Sequence, residues 1–187
     1  MSAGMFLRGE RIYLRGLERS DVTGNYGNWF NDPEVCRYNA HHRFPYGQEA
    51  LMEYVDGQNG ARDRLVLAII ERSDDRHVGN ISLQSIDSIE RSAEFAIVIG
   101  EKSAWGKGYS KEAARLIIEH GFGMLNLHRI YCGTSSENVP MQKLALAMGF
   151  SPEGRRREAL YKDSRYWDII EYGLLQAEWQ RIAALEG

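Results

Sequence analysis

Hydrophobic and polar positions follow two different periods along the chain, and each period predicts a different kind of element. Short runs of β-branched, aliphatic and aromatic residues predict strands. Such runs lie at residues 11–15, 64–71, 77–86, 91–99 and 128–133, and at 160–161 with 166–175 as a closing hairpin. Turn-forming residues separate the three runs between 64 and 99, so an antiparallel meander is expected there.

Apolar residues spaced three and four apart predict the helices. The clearest helix begins near Gly108 and carries Ala113, Ile117 and Met124 on one face. Further helices are expected at about 20–30, 48–58 and 138–148, and over about the last ten residues. A meander followed by alternating helices and strands predicts a mixed α/β (α+β) fold with helices on both faces of one sheet.

Length and composition indicate a single domain over residues 1–187. Apolar residues make up 43% and the formal net charge is -3, which excludes a nucleic-acid binder driven by a basic surface. The longest aliphatic run, residues 65–70, is too short for a membrane helix, so no membrane partner is expected. Without a secretory signal pattern, the 2 cysteines are interpreted as reduced thiols of a cytoplasmic protein. Trp179 and Ile182 suit either a monomer core or a homodimer contact.

Two glycines stand between a predicted strand and a predicted helix, in the motif Trp105-Gly106-Lys107-Gly108-Tyr109-Ser110. Glycine lets the backbone approach an anion closely, and the following first helical turn exposes unpaired amides. The motif therefore predicts a phosphate cradle, with a purely structural strand–helix turn as the alternative. Its spacing is not that of a P-loop, and Lys111 stands where a dinucleotide fingerprint has its third glycine.

The motif and its surroundings resemble the GNAT superfamily of N-acetyltransferases. The likeness is carried by residues 93–99, 105–113, 127–130 and 149–150, with Asn138, and it spans about residues 8–176. Residues 11–15 and 29–35 resemble the branch that contains the ribosomal-protein N-terminal acetyltransferases. The resemblance implies a mixed, mostly antiparallel sheet splayed between its fourth and fifth strands, and an acetyl-CoA-dependent N-acetyltransferase. No spacing of His, Cys, Asp and Glu resembles a metal site, so no metal is expected.

In a fold of this kind, acetyl-CoA would lie between the splayed strands, with its pantetheine pairing as an added strand. The implied cofactor-binding residues are Ile97, Val98, Ile99, Trp105, Gly106, Lys107, Gly108, Tyr109, Ser110, Asn138 and Lys143. Trp105 stands where many family members have Arg or Gln. Lys107, Lys111 or Lys143 would therefore supply the positive charge for the phosphates.

Acetylation needs a neutral amine, whereas an alkylamine with a pKa of about 10.4 is protonated near pH 7. Glu94, on the strand expected to line the cleft, is the candidate general base, acting directly or through water. Backbone amides near Ile97 and Val98 would stabilise the oxyanion. Many family members protonate the leaving thiolate with a Tyr, but this chain has Ala145 there, which leaves Tyr131 or Ser135 as the candidate donor.

The acceptor site is expected at His41, His42, Arg43 and Tyr46, a polar loop with aromatic neighbours. The basic run at residues 155–157 suits a phosphorylated acceptor, since Arg binds phosphate through two hydrogen bonds. We expect the acceptor amine to attack the acetyl group of acetyl-CoA directly, in a ternary complex. The expected acceptor is a nucleotide-linked amino sugar or another small amine. A protein N-terminal α-amine is the alternative acceptor, and a catalytically silent acyl-CoA-binding module is the alternative outside the enzymes.

Overall fold

The computed structural model describes residues 4–58 and 60–186, which form one mixed sheet flanked by helices. The strands are β1 (Met5–Arg8), β2 (Ile12–Gly16), β3 (Leu65–Glu71), β4 (Arg76–Asp87), β5 (Ser92–Ile99), β6 (Arg129–Ser135), β7 (Ser151–Lys162) and β8 (Arg165–Leu175). The helices are α1 (Arg19–Thr23), α2 (Tyr26–Trp29), α3 (Gln48–Asp56), α4 (Tyr109–Gly123), α5 (Val139–Ala147) and α6 (Gln176–Glu186). A 3-10 turn, Lys102–Ala104, precedes α4.

The eight strands lie in the order β1-β2-β3-β4-β5-β6-β8-β7. All neighbouring pairs are antiparallel except β5 with β6, which are parallel. Parallel neighbours need a crossover connection, and α4 supplies it. The predicted mixed, mostly antiparallel sheet is therefore confirmed.

Two apolar clusters cover the two faces of the sheet. The first packs α4, α5 and α6 against one face, around Phe95, Ile117, Ile130 and Trp179. The second packs α1, α2 and α3 against the other face, beneath the β2–β3 half of the sheet. Trp179 is 6% exposed, so this side chain belongs to the core rather than to the surface.

The structure differs from the predicted elements at three places. Strand β1 was not predicted, and it forms because its backbone pairs with β2 at the sheet edge, with no buried position of its own. The helix predicted at 20–30 is two short helices, since the chain leaves helical geometry at Gly24. The strand predicted at 160–161 is the end of the twelve-residue β7. Only Leu160 of this edge strand is buried, so most of the strand has no apolar pattern that would predict it.

Candidate active site

Strands β5 and β6 lie side by side only at their first residues. Residues 92–94 pair in parallel with residues 129–131, and among the described residues no pairing continues as β5 runs to Ile99 and β6 to Ser135. The sheet therefore opens into a V towards the C-terminal ends of these strands. This opening corresponds to the splay expected between the fourth and fifth strands. Those two strands are numbered β5 and β6 here, because β1 precedes the strands predicted from the sequence.

Glu94 and Tyr131 lie beside each other at the base of the V. They are register partners, so their side chains share one sheet face, opposite to Ala93 and Ile130, which are buried in the first core. Burial raises the pKa of Tyr131, and the neighbouring Glu94 carboxylate raises it further, since a phenolate would be repelled. A carboxylate and a phenol that retains its proton thus stand on the same sheet face at the base of the V.

The loop before α4 presents open backbone. Gly106 has φ 76° and Gly108 has φ 80°, a left-handed conformation that only glycine adopts without strain. Apart from its chain neighbours, no atom lies within 4 Å of the position that a Cβ on Gly106 would take. The Glu112 amide donates to the Gly108 carbonyl (3.3 Å), so the amides of Tyr109 and the next residues precede the helical hydrogen bonds. This arrangement fits the diphosphate of a CoA molecule.

Trp105 fastens this loop to the end of β5. Its indole nitrogen donates to the Ile99 carbonyl (2.8 Å), while the side chain remains 42% exposed. The indole therefore has a structural partner, and Ile99 holds the loop as well as being a candidate partner for pantetheine.

Lys107 lies beside an acidic group rather than standing free for a phosphate. Its ammonium is 3.4 Å from the buried carboxylate of Glu71, the last residue of β3. Glu71 also accepts hydrogen bonds from Tyr109 Oη and from Arg76 (2.7 Å). The bonds from Tyr109 and Arg76, with the charge of Lys107, lower the pKa of Glu71 to about 2 despite its burial. Glu71 therefore anchors the glycine loop to the sheet. The second nearby lysine, Lys111, has an exposed side chain.

Arg11 is a site residue that sequence reasoning missed. Its guanidinium donates to the Lys107 carbonyl (2.8 Å), pairs with Glu112 (3.2 Å) and lies next to Gly108. These partners lie 96 and 101 residues away along the chain. No local pattern could therefore have indicated the contact.

A segment crosses the open end of the V, and we call residues 29–46 the mouth segment. At the β5 arm, Trp29 packs so closely on Gly100 that a Cβ there would overlap the indole ring. The Trp29 indole nitrogen also donates to Glu101 (3.1 Å), just beyond the end of β5. One end of the mouth segment is thus fixed at the tip of this arm.

The other end is fixed at the β7–β8 turn. Ser135, at the end of β6, pairs with Ile169 in antiparallel register, so this turn extends beyond the tip of β6. The Lys162 ammonium donates to three carbonyls of the mouth segment, those of Cys36 (2.6 Å), Asn39 (3.0 Å) and His41 (3.2 Å).

The predicted acceptor residues all belong to the mouth segment. His41 Nδ1 is 2.8 Å from the Tyr46 hydroxyl, and Arg43 donates to the Tyr161 carbonyl (2.8 Å). Burial lowers the pKa of His41, and the charge of Lys162 lowers it further. His42 is exposed, with a positive φ of 62°. His41, Arg43 and Tyr46 therefore have partners within the protein, and His42 faces solvent.

Comparison with known proteins assigns the family. Residues 11–151 match the family model described as an acetyltransferase (GNAT) domain. This protein is a GNAT acetyltransferase. The match includes the V, the glycine loop and the mouth segment, so the features described above belong to an acetyl-CoA-dependent N-acetyltransferase.

Related proteins agree with this assignment. The GNAT chain is 30% identical to an uncharacterized N-acetyltransferase p20 of Bacillus licheniformis, over 91% of this chain and 96% of the relative. It is 33% identical to a putative ribosomal N-acetyltransferase, YdaF of Bacillus subtilis, over 54% and 55% of the two chains. It is also similar to the crystal structure of spermidine N-acetyltransferase from Vibrio cholerae in complex with CoA and spermine. The two structures match with a TM-score of 0.84 and 26% sequence identity, and the match covers 92% of this chain and 99% of the other.

Three other predicted residues have structural surroundings in this GNAT domain. Asn138 caps α5, because its side-chain oxygen accepts a hydrogen bond from the Met141 amide (3.2 Å). Its side-chain nitrogen also donates a hydrogen bond to the Thr134 hydroxyl (3.0 Å). Ser135 is 1% exposed. Lys143 is exposed on α5. Their roles toward the cofactor and the reaction remain predictions.

Over 4–58 and 60–186, no helix combines the length and apolar character needed to cross a membrane. In the same ranges no group of His, Cys, Asp and Glu is arranged to hold a metal ion.

Proposed function

We propose that this GNAT enzyme acetylates a primary amine of a small molecule, by direct attack in a ternary complex with Glu94 as general base. The observation that carries the proposal is the position of Glu94 beside Tyr131 at the base of the V. A base must lie within reach of the proton it removes, and Glu94 belongs to the last residue pair before strands β5 and β6 separate.

The reaction needs one proton acceptor and one proton donor. Acetyl-CoA supplies an acetyl group activated as a thioester, and the backbone of residues 105–110 would bind its diphosphate. Glu94 takes a proton from the amine, directly or through water, so that nitrogen forms the N–C bond as the C–S bond breaks. Backbone amides near Ile97 and Val98 would stabilise the oxyanion.

Tyr131 is the preferred donor to the departing sulfur. Its phenol is held in the protonated form and lies at the fork. Ser135 is four residues further along β6, about 13 Å away at 3.3 Å per residue. Its hydroxyl also accepts from the Glu137 amide (3.3 Å) in a buried position. Ala145, where other family members have a Tyr, is consistent with a donor from another element.

The acceptor that we propose is an aliphatic amine of the polyamine class. A phosphorylated acceptor would need free arginines on β7, but Arg155 is 3.3 Å from Asp168, and Arg156 pairs with Glu171. The similar Vibrio cholerae protein is named as a spermidine acetyltransferase. A nucleotide-linked amino sugar is the second candidate, favoured by the exposed Arg157 alone.

The first experiment measures cofactor binding and acceptor choice together. Acetyl-CoA at 100 times its dissociation constant should add about 2.7 kcal/mol to the unfolding free energy. Release of CoA thiol is then measured with polyamines, nucleotide-linked amino sugars and peptides with free N-termini. The proposal requires the highest kcat/KM on a polyamine. A thermal shift without thiol release from any acceptor would support the catalytically silent alternative instead.

The second experiment tests the base. Glu94→Gln should lower kcat about 10²- to 10⁴-fold at neutral pH, the range for removal of a general base. The affinity for acetyl-CoA should stay unchanged, and the rate should rise with pH as more acceptor becomes neutral. Glu90→Gln, in the exposed turn before β5, is the matched control. An unchanged kcat in Glu94→Gln, with chemistry rate-limiting, would remove Glu94 from this role.

A further inference from the structure

Within residues 4–58 and 60–186, the hydrogen-bond partners of the Lys162 ammonium are backbone carbonyls. Its three ammonium protons match three acceptors, the carbonyls of Cys36, Asn39 and His41, all within 3.2 Å. The side chain is partly buried, and its partners lie 121 to 126 residues earlier in the chain. Hydrogen bonds from an ionised donor are stronger than those between neutral groups. Lys162 therefore joins the β7–β8 turn to the mouth segment through three bonds, beside the single bond from Arg43 to the Tyr161 carbonyl (2.8 Å).

The mouth segment depends on such anchors for its shape. Between α2 and α3 it forms turns and bends but no regular helix or strand. Asn31 fixes its end through paired hydrogen bonds with the Tyr46 backbone, both 3.0 Å. At the opposite arm, Lys102 pairs with Asp32 (2.9 Å) and Glu34 (2.6 Å), next to the end of β5. At the β7–β8 turn, the three bonds from Lys162 and the one from Arg43 to Tyr161 restrict its remaining conformational freedom.

We propose that Lys162 is a positioning residue for the amine acceptor. By holding the backbone of residues 36–41 against the tip of the β6–β8 arm, it fixes the acceptor-facing His41 and Tyr46 and sets the entrance of the V. The inference rests on the proposed function, because it requires the acceptor to enter beside the mouth segment. The cofactor loop lies on the other arm, so the effect of Lys162 is specific for the acceptor.

The test is a steady-state comparison of three variants on the best acceptor of the wild type. Lys162→Met keeps the aliphatic stem and removes all three donors. It should raise the KM for the amine about tenfold, from the loss of charge-assisted hydrogen bonds, with kcat reduced less than about twofold. Lys162→Arg keeps the charge and donors, so it should recover most of the wild-type KM. Arg165→Met is the control and should behave as wild type, because Arg165 is an exposed cation of the same turn whose guanidinium lies over the Trp167 ring (3.7 Å).

Cofactor binding separates this inference from a general loss of structure. The Kd for acetyl-CoA, measured by calorimetry, should be equal in the wild type and Lys162→Met. An unchanged amine KM in Lys162→Met would overturn the inference, and so would equal increases in the acceptor KM and the acetyl-CoA Kd. Failure of the wild type to acetylate any amine would contradict the proposed function, whereas the Lys162 variants test only the positioning of the acceptor.

Discussion

Gly108 allows a quantitative prediction about the cofactor loop. Its φ of 80° would place an alanine in the left-handed region, at a cost of about 1–2 kcal/mol. The added Cβ would lie 3.2 Å from Arg11 Nη2, the end of a flexible and largely exposed side chain, so steric overlap adds little. We expect the strain to be relieved by rotation of the loop, which turns the first amides of α4 away from the diphosphate. Loss of one hydrogen bond to a charged group, about 1.5–3 kcal/mol, corresponds to acetyl-CoA binding weakened about 10- to 100-fold.

Gly60→Ala is the matched control for this change. Gly60 has φ 78° and no atom within 4 Å of the position that an added Cβ would take, so alanine there causes similar strain away from the V. Both variants should lower Tm by roughly 2–8 °C. Only Gly108→Ala should weaken acetyl-CoA binding in calorimetric titration. Equal acetyl-CoA affinities in the two variants would refute the assignment of the loop to the diphosphate.

Three further predictions concern groups that surround the site. Glu71 has a pKa lowered from 4.5 to about 2, so its contribution to stability is present above about pH 4.5 and is lost as pH falls towards 2. The difference in unfolding free energy between wild type and Glu71→Gln should therefore shrink from pH 7 to pH 3 in urea titrations, and a constant difference would count against this anchor. Gly100→Ala should destabilise the protein by roughly 1–3 kcal/mol, because the Trp29 ring is held between Gly100 and the rings of Tyr26 and His77. An unchanged urea midpoint would show that the Trp29 ring can move. Burial raises the pKa of Cys132 to about 12 and also raises that of Cys36, so a thiol reagent at pH 8 should label both only after denaturation, and rapid labelling of the folded protein would contradict their burial.

The elements that define the V could be predicted because their signals are local. The β4–β5 meander, the helix after Gly108 and the glycine pair follow from residue periodicity and from the backbone freedom of glycine, both of which act over a few residues. The same signals failed for β1 and β7. Edge strands form through backbone pairing. The exposed side chains of β7 carry no apolar pattern, and β1, although Met5, Phe6 and Leu7 are apolar, is only four residues long.

Side-chain partners around the site could not be predicted in the same way. Lys107, Lys111 or Lys143 is expected to serve the phosphates, and the sequence carries no sign that the end of β3 places the Glu71 carboxylate beside Lys107. Asn138 is expected to bind the cofactor, a role that stays a prediction, while its side-chain bonds as the cap of α5 are seen only in the structure. Each outcome depends on which charged or polar groups the sheet brings together, and a buried charge is stable only with a partner.

The sequence by itself determined the family resemblance, the mixed sheet and the position of the glycine loop, because these depend on short-range pattern and spacing. Only the tertiary structure decided that Glu94 and Tyr131 meet at the fork, and that Lys162 holds the mouth segment from 121 or more residues away. The physical reason is chain topology. Strand pairing and the crossover through α4 bring distant residues within hydrogen-bonding distance, and local sequence carries no information about which distant group will be there.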